Sequence, residues 1–417
     1  MQYALRVCAL AVILSTGAHA AEPAPGSSVE SLLQLVKARN PEYAAMRHEA
    51  DAAHERVNAA GALPDPRLQI ELRDITMGGE QSATLAPNRV GATKYQVTQE
   101  LPWFGKRGLR RDIAALEAQG ASGRATGTWL ELSARIKASY AQSYYLHQNE
   151  RLTREILELM NRLEQVAQAR YAGNLAVQQD VIRAQVEQTN LKNELLALES
   201  ERHHIHARLN VLTARPAGAE LAEPMQLREL PARLDYAALE QRVRQRNPQL
   251  AAEDARARAA EKSLDLAYKN RYPDLMVGIA PMQSGNAVRE WELMFELNIP
   301  LQQSSRRSQE REAQAMLAAA QARKDASINQ ALADLSENIS ALDVARRTEQ
   351  SIANDLLPQA ELTYKSALAS YENGKVDFAT LLDAQRQIRQ ARQNRIKVQA
   401  EGQMRLAEIE RLLGEEL

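Results

Sequence analysis

Apolar positions along this chain follow two different rhythms. Over most of its length they recur every three or four residues, as at Leu152, Ile156, Leu159, Leu163 and Val166, and again at Leu191, Leu195 and Leu198. Arg202 interrupts the second seam, which resumes at Ile205, Leu209 and Leu212. A heptad rhythm of this kind predicts helices that supercoil in pairs. At 1.5 Å per residue, a helix from about 106 to 170 would be on the order of 95 Å long. Four shorter stretches, at about 67–76, 90–101, 274–281 and 289–299, alternate with a period of two. That period predicts strands with one apolar face. The apolar positions are Leu68, Ile70 and Leu72, then Tyr95, Val97 and Leu101, then Leu275, Val277 and Ile279, then Trp291, Leu293, Phe295, Leu297 and Ile299. Arg67, Glu71, Lys94, Glu292 and Glu296 point the other way, and Gln99 falls out of pattern on the apolar side.

The pattern is written twice. Asn40-Pro41 answers Asn247-Pro248, Pro64-Asp65 answers Pro273-Asp274, and Leu101-Pro102 answers Ile299-Pro300. "YAGNLAVQQDVIRAQ" at 171–185 answers "YENGKVDFATLLDAQ" at 371–385. Four landmarks in one order imply two repeats, 21–212 and 235–417, joined by a Pro- and Ala-rich connection at 213–234. Each repeat reads as a helix (about 30–61 and 235–270), two strands, a very long helix, a break and a shorter helix. The breaks, Gly173-Asn174 and Asn373-Gly374, hold residues that tolerate the left-handed conformation ending a helix.

Composition narrows the classes. Only 4% of the 417 residues are aromatic while 25% are charged, which favours long packed helices over a large compact core. A net charge of −1 leaves no electrostatic footprint for nucleic acid. Residues 1–20 read as a secretory signal peptide, with an apolar stretch from Val7 to Leu14 and Ala18-His19-Ala20 before the cleavage point. Cys8, the one cysteine, lies inside it, so the mature chain is expected to hold no disulfide, no thiolate metal site and no lipid-accepting cysteine. Gly-rich phosphate loops, H-E-x-x-H and G-x-S-x-G are absent from the sequence, and nothing in it supports an enzyme or a cofactor.

The strands approach the 9–11 residues that a tilted membrane strand needs. A half-buried strand on a soluble core would alternate in the same way, but here the helices are committed to their own seams. Four strands cannot close a barrel, and an open edge in hydrocarbon leaves N–H and C=O groups unpaired at several kcal/mol each. The barrel is therefore expected to be shared between chains. Two chains would give eight strands and a filled interior; three would give twelve and an open pore. Inward acids at Glu71, Glu292 and Glu296 favour three.

The duplicated plan, the "Y-x-x-G" or "Y-x-N-G" turns followed by "D-V-I-R-A-Q" or "L-L-D-A-Q", and two strands per repeat resemble the TolC-like outer-membrane efflux proteins. The resemblance implies a homotrimer: a twelve-stranded β-barrel in outer-membrane lipid, four strands per chain, continued by a coiled-coil α-helical tunnel in the periplasm of a Gram-negative bacterium. It further implies a periplasmic adaptor (membrane fusion) protein and an inner-membrane RND-type pump as partners. "QELPWFGKRGLRR" at 99–111 resembles the heavy-metal efflux branch, with a drug or solvent duct or type I protein secretion as the alternative. The same stretch also reads as a strand-to-helix corner, with Lys106, Arg107, Arg110 and Arg111 just below the membrane interface.

Residue by residue, the resemblance implies a periplasmic gate at Asp180, Tyr371 and Asp383, and adaptor docking at the tip turns Gly173, Asn174, Asn373 and Gly374. Thr380 stands where many members carry an acid, and Val376 where some carry an arginine. "HHIH" at 203–206 reads as a solvated cluster flanking the seam rather than a metal site, since two His on one helix fall short of a first shell. Met77, Met276, Met282 and Met294 read as packing. A periplasmic coiled-coil rod or the adaptor itself is the rival class, and tandem hairpins each preceded by lipid-pattern strands argue against it.

Overall fold

The computed structural model describes residues 25–75 and 84–417. The expected signal peptide, Met77 and residue 76 of the first expected strand lie outside the described residues. The first repeat runs α1 (Val29–Arg39), α2 (Pro41–Gly61), β1 (Arg67–Arg73), β2 (Ala92–Leu101), α3 (Lys106–Ala172) and α4 (Gln178–Leu212). The second runs α5 (Tyr236–Arg246), α6 (Pro248–Lys269), β3 (Asp274–Ser284), β4 (Ala287–Asn298), α7 (Gln303–Ser351), a π-turn (Ile352–Leu356), α8 (Leu357–Glu372) and α9 (Phe378–Leu413). No described helix is long and apolar enough to cross a membrane.

Two departures from the expected elements have local causes. The opening helix of each repeat is broken in two, because proline at 41 and at 248 holds the preceding asparagine extended, at ψ 122° and 120°. Asn40 accepts a hydrogen bond from the Tyr43 N–H, and Asn247 accepts from Gln249 and Leu250, so each asparagine caps the helix that its proline begins. The long helix of the second repeat is likewise interrupted, whereas α3 runs unbroken for 67 residues. Pro358 has no N–H to donate and its ring crowds the carbonyl four residues back, and one widened turn accommodates it. At the first strand's end Asp74 takes φ 63°, which turns the chain out of the sheet after Arg73.

Small residues let the helices lie close. Ala50 and Ala53 of α2 pack on Ala118, Ala121 and Ala125 of α3. A side-chain carbon on Gly123 would stand 2.9 Å from the Pro248 carbonyl oxygen, so only glycine admits this approach of α3 to α6. Farther along, Leu152, Ile156, Met160 and Leu163 of α3 share a core with Leu191 of α4, Tyr371 of α8 and Leu381 of α9. The connection at 213–235 is irregular and tied to the bundle by a buried carboxylate: Glu410 receives Lys137 at 2.7 Å and Arg228 at 3.0 Å.

The four strands form one antiparallel sheet in the order β1-β2-β3-β4. The second repeat thus adds its hairpin to the edge of the first, and among the described residues both outer strands keep an unpaired edge.

Candidate functional site

Three regions carry the features expected of a duct: the sheet, the corner where it meets the helices, and the helix-turn tips. In the sheet, Leu68 lies opposite Val97, Val97 opposite Ile279, and Ile279 opposite Leu293. Adjacent pairs add Ile70 with Tyr95, Val277 with Phe295, and Leu275 with Leu297. Because side chains alternate, this register gathers Leu68, Ile70, Leu72, Tyr95, Val97, Leu275, Val277, Ile279, Trp291, Leu293, Phe295 and Leu297 on one face. Phe295 is 73% exposed and Leu293 71%, so nothing among the described residues covers that face. Gln99, the polar intruder, donates its amide to the Pro64 carbonyl oxygen at 2.7 Å and so is not left unsatisfied. The opposite face carries Glu71, Lys94, Gln96, Glu100, Glu292 and Glu296, with Lys94 paired to Glu292 and Arg73 to Glu71.

At the corner, Lys106 is buried rather than displayed as an interfacial cation. Its ammonium donates to Asp274 Oδ1 at 2.8 Å and to the Tyr272 carbonyl at 3.0 Å. The same Asp274 oxygen accepts the Trp103 N–H at 2.7 Å, and the Trp103 ring stacks on Tyr272 at 5.3 Å. Arg107 donates to the Gly61 carbonyl at 2.8 and 3.0 Å. Both charges therefore brace the corner, Lys106 against the second repeat and Arg107 against the end of α2.

At the tips the two turns have one geometry. Gly173 and Asn373 close the helices, and Asn174 (φ 56°) and Gly374 (φ 70°) take the left-handed step. The N–H of Leu175 then returns to the Arg170 carbonyl and that of Lys375 to the Ser370 carbonyl, each at 2.8 Å. Arg170, which sequence reasoning passed over, joins the turns by donating to the Glu372 carbonyl at 2.7 Å, with its guanidinium 4.9 Å from the Tyr371 ring centre.

Asp180 and Tyr371 are both buried beside Arg170 and Phe378, and Asp383 is not brought to them: it stands 70% exposed on α9, 3.9 Å from Arg386. Burial pushes the Asp180 carboxyl up, with Arg183 and Arg170 opposing and Asp377 assisting. Burial also raises the Tyr371 phenol, reinforced by Asp180. The Tyr371 hydroxyl has no hydrogen-bond partner among the described residues. Thr380 gives its hydroxyl to Asp377 at 2.6 Å and its N–H at 2.9 Å, closing the α9 cap and holding the Asp377 carboxyl low. Among the described residues no group of three His, Cys, Asp or Glu is placed to hold a metal ion. His206 is lowered by burial, by Arg202 and by His203.

The family model described as "Outer membrane efflux protein" matches residues 32–215 and 239–415. The chain belongs to the outer membrane efflux protein family. The cobalt-zinc-cadmium resistance protein CzcC of Cupriavidus metallidurans is 25% identical over 401 residues, 94% of this chain and 91% of that one. Among solved structures, VceC of Vibrio cholerae superposes with a TM-score of 0.78 at 16% identity, covering 93% of this chain and 96% of VceC. CusC superposes with a TM-score of 0.79 at 15% identity, covering 93% and 92%. This efflux channel is accordingly a transport duct of the outer membrane, with its helical tunnel in the periplasm, that works with a partner pump and catalyses no reaction.

Proposed function

We propose that three copies of this channel, cleaved after residue 20, close a twelve-stranded barrel whose apolar face meets lipid and whose polar face lines the pore. The uncovered apolar face and the free edges of β1 and β4 support that reading, since a four-stranded sheet in hydrocarbon must find partners for both edges. Repeats 21–212 and 235–417, joined at 213–234, then supply equivalent halves of each subunit. The partners are an inner-membrane RND-type pump and a periplasmic adaptor that docks on Gly173, Asn174, Asn373 and Gly374, with Asp180, Tyr371 and Asp383 lining the closed periplasmic end.

The cargo we propose is heavy-metal cations. One observation carries this: the likeness to a cobalt-zinc-cadmium resistance protein runs through almost the whole of both chains. Deleting the gene in its own host should lower the tolerated concentration of zinc, cadmium or cobalt and raise their cell content. Unchanged metal tolerance with new sensitivity to drugs or solvents would reassign the duct.

A further inference from the structure

Four helices stand side by side in the order α2, α3, α6, α7, each packed on the next. A second copy would meet this row at its ends and leave the seam between α3 and α6 open. Where that seam reaches the sheet it widens into a groove of about 410 Å³, walled by Leu109 of α3 and by Tyr268, Lys269 and Tyr272 at and just past the end of α6. Two other charged side chains reach the groove, and both are engaged: Asp265 with Lys262 at 3.7 Å and Arg271 with Glu310. Lys269 is left without an ion pair among the described residues, its ammonium 5.7 Å from the Tyr272 ring centre. Apolar surface leads from the sheet to this lysine. Trp103, two residues past Leu101, stacks on Tyr272. Phe104 meets the Trp103 ring edge-on at 5.7 Å and is 83% exposed.

We propose that this groove binds the headgroup of a membrane phospholipid, with Lys269 on the phosphate and Trp103 and Phe104 against the upper acyl chains. The proposal rests on the reading of the sheet's apolar face as the lipid-facing one. Trp and Tyr rings collect at the headgroup level of a bilayer, apolar body inward and polar edge toward water. A lysine at that level lays its methylenes on apolar surface and lifts its ammonium to the phosphates. A phosphodiester carries one negative charge and only accepts hydrogen bonds, which the ammonium and the phenol hydroxyls of the part-exposed Tyr268 and Tyr272 can donate. The pairing of an unengaged cation with a continuous apolar approach selects a lipid. A soluble phosphate would leave the Trp103 and Phe104 surface unused, and a purely apolar ligand would leave Lys269 unused.

The test is a titration of purified, delipidated full-length channel with phosphatidylglycerol in detergent micelles, read by native mass spectrometry. Lys269→Gln should weaken binding about fivefold, the worth of one lysine at an anionic headgroup surface. Lys269→Arg should bind as wild type, and so should Arg110→Gln, which removes an exposed charge next to Leu109 but outside the groove wall. Phe104→Ser should weaken binding, and glycerol phosphate, which has the headgroup charge without the chains, should not compete. Unchanged binding in Lys269→Gln, or an equal loss in Arg110→Gln, overturns the site. Unchanged binding in Phe104→Ser overturns the acyl contact, and competition by glycerol phosphate at lipid concentrations overturns a lipid as the occupant. The lipid-face reading is tested separately in vesicles of phospholipid brominated in mid-chain, which should quench wild-type tryptophan fluorescence much more than that of Trp291→Phe. Equal quenching in the two means that the lipid-face reading fails. Quenching through Trp291 with unchanged binding in Lys269→Gln leaves that reading standing and removes the site alone.

Discussion

The side-chain amide of Asn247 donates a hydrogen bond to the main-chain oxygen of Leu412 at 2.9 Å, and the first repeat holds the same bond between Asn40 and Leu212 at 2.8 Å. In each case one asparagine starts a helix with its carbonyl and finishes another with its amide. The two landmarks that exposed the duplication are thus the clamps that fasten the beginning of each repeat to its end.

Asn247→Ala should therefore be costly. It removes a cap worth about 1 kcal/mol and leaves the Leu412 carbonyl unpaired in a buried place, at about 1–3 kcal/mol more. Asn247→Asp keeps the cap but replaces the donor with a carboxylate facing that carbonyl. Both variants should lower the temperature of helix loss followed by circular dichroism, with the aspartate variant no better than the alanine. Full rescue by aspartate would mean that capping alone matters.

The corner gives a second expectation. Removing one partner of a buried ion pair typically costs about 3–5 kcal/mol, because the other charge is left without compensation. Asp274 is 26% exposed at its side chain, so the lower end applies to Lys106→Ala. Lys106→Ala with Asp274→Asn, which keeps an acceptor for the Trp103 N–H, should recover part of the lost assembly in the outer membrane. Equal yields in the single and double variants would show that the pair does not couple the repeats.

Much of this was legible in the chain because period-two alternation survives without knowledge of packing: Leu68 to Leu72 and Trp291 to Leu297 need no partner to declare a face. The broken opening helices were not legible, since apolar spacing continues across Asn40 and Asn247 and only the preceding-proline effect divides them. The role of Lys106 was hidden for another reason. Its partner Asp274 lies 168 residues away, and a lysine beside Trp103 and Phe104 has the composition of an interfacial belt. Arg170 left no signal of its own, because its targets, the Glu372 carbonyl and the Tyr371 ring, belong to the other repeat.

Strand polarity is open to a direct contrast. Phe295→Arg would place a cation on the face proposed to meet lipid, at about 2–4 kcal/mol near the bilayer midplane. Glu296→Arg, one residue on, points to the wet side and should assemble far better. Recovery of heat-sensitive oligomer from outer membranes measures the difference, and equal recovery would assign the sheet to a soluble environment.

The helix-turn tips yield a prediction with a definite sign in pH. Asp180 is buried and its carboxyl is raised in the fold, so the folded state holds its proton more tightly than the unfolded chain. Stability from this group is therefore fully present below the unfolded pKa and is lost as pH rises through the folded one. At neutral pH the buried carboxylate strains the tips, and Asp180→Asn should relieve that strain. Hydrogen exchange over 165–185 and 365–385 should slow in Asp180→Asn relative to wild type at pH 7, and the advantage should shrink as pH falls toward the ordinary carboxylate range. Tyr371→Phe removes a hydroxyl that has no partner among the described residues and should leave exchange in the isolated chain's core nearly unchanged. In the assembled channel the same variant discriminates between two kinds of closure. If Tyr371 bonds to a neighbouring subunit, its loss raises single-channel conductance while oligomer yield stays near wild type. If conductance stays at the wild-type value, closure rests on other contacts, and Asp383, exposed on α9, is the next residue to vary.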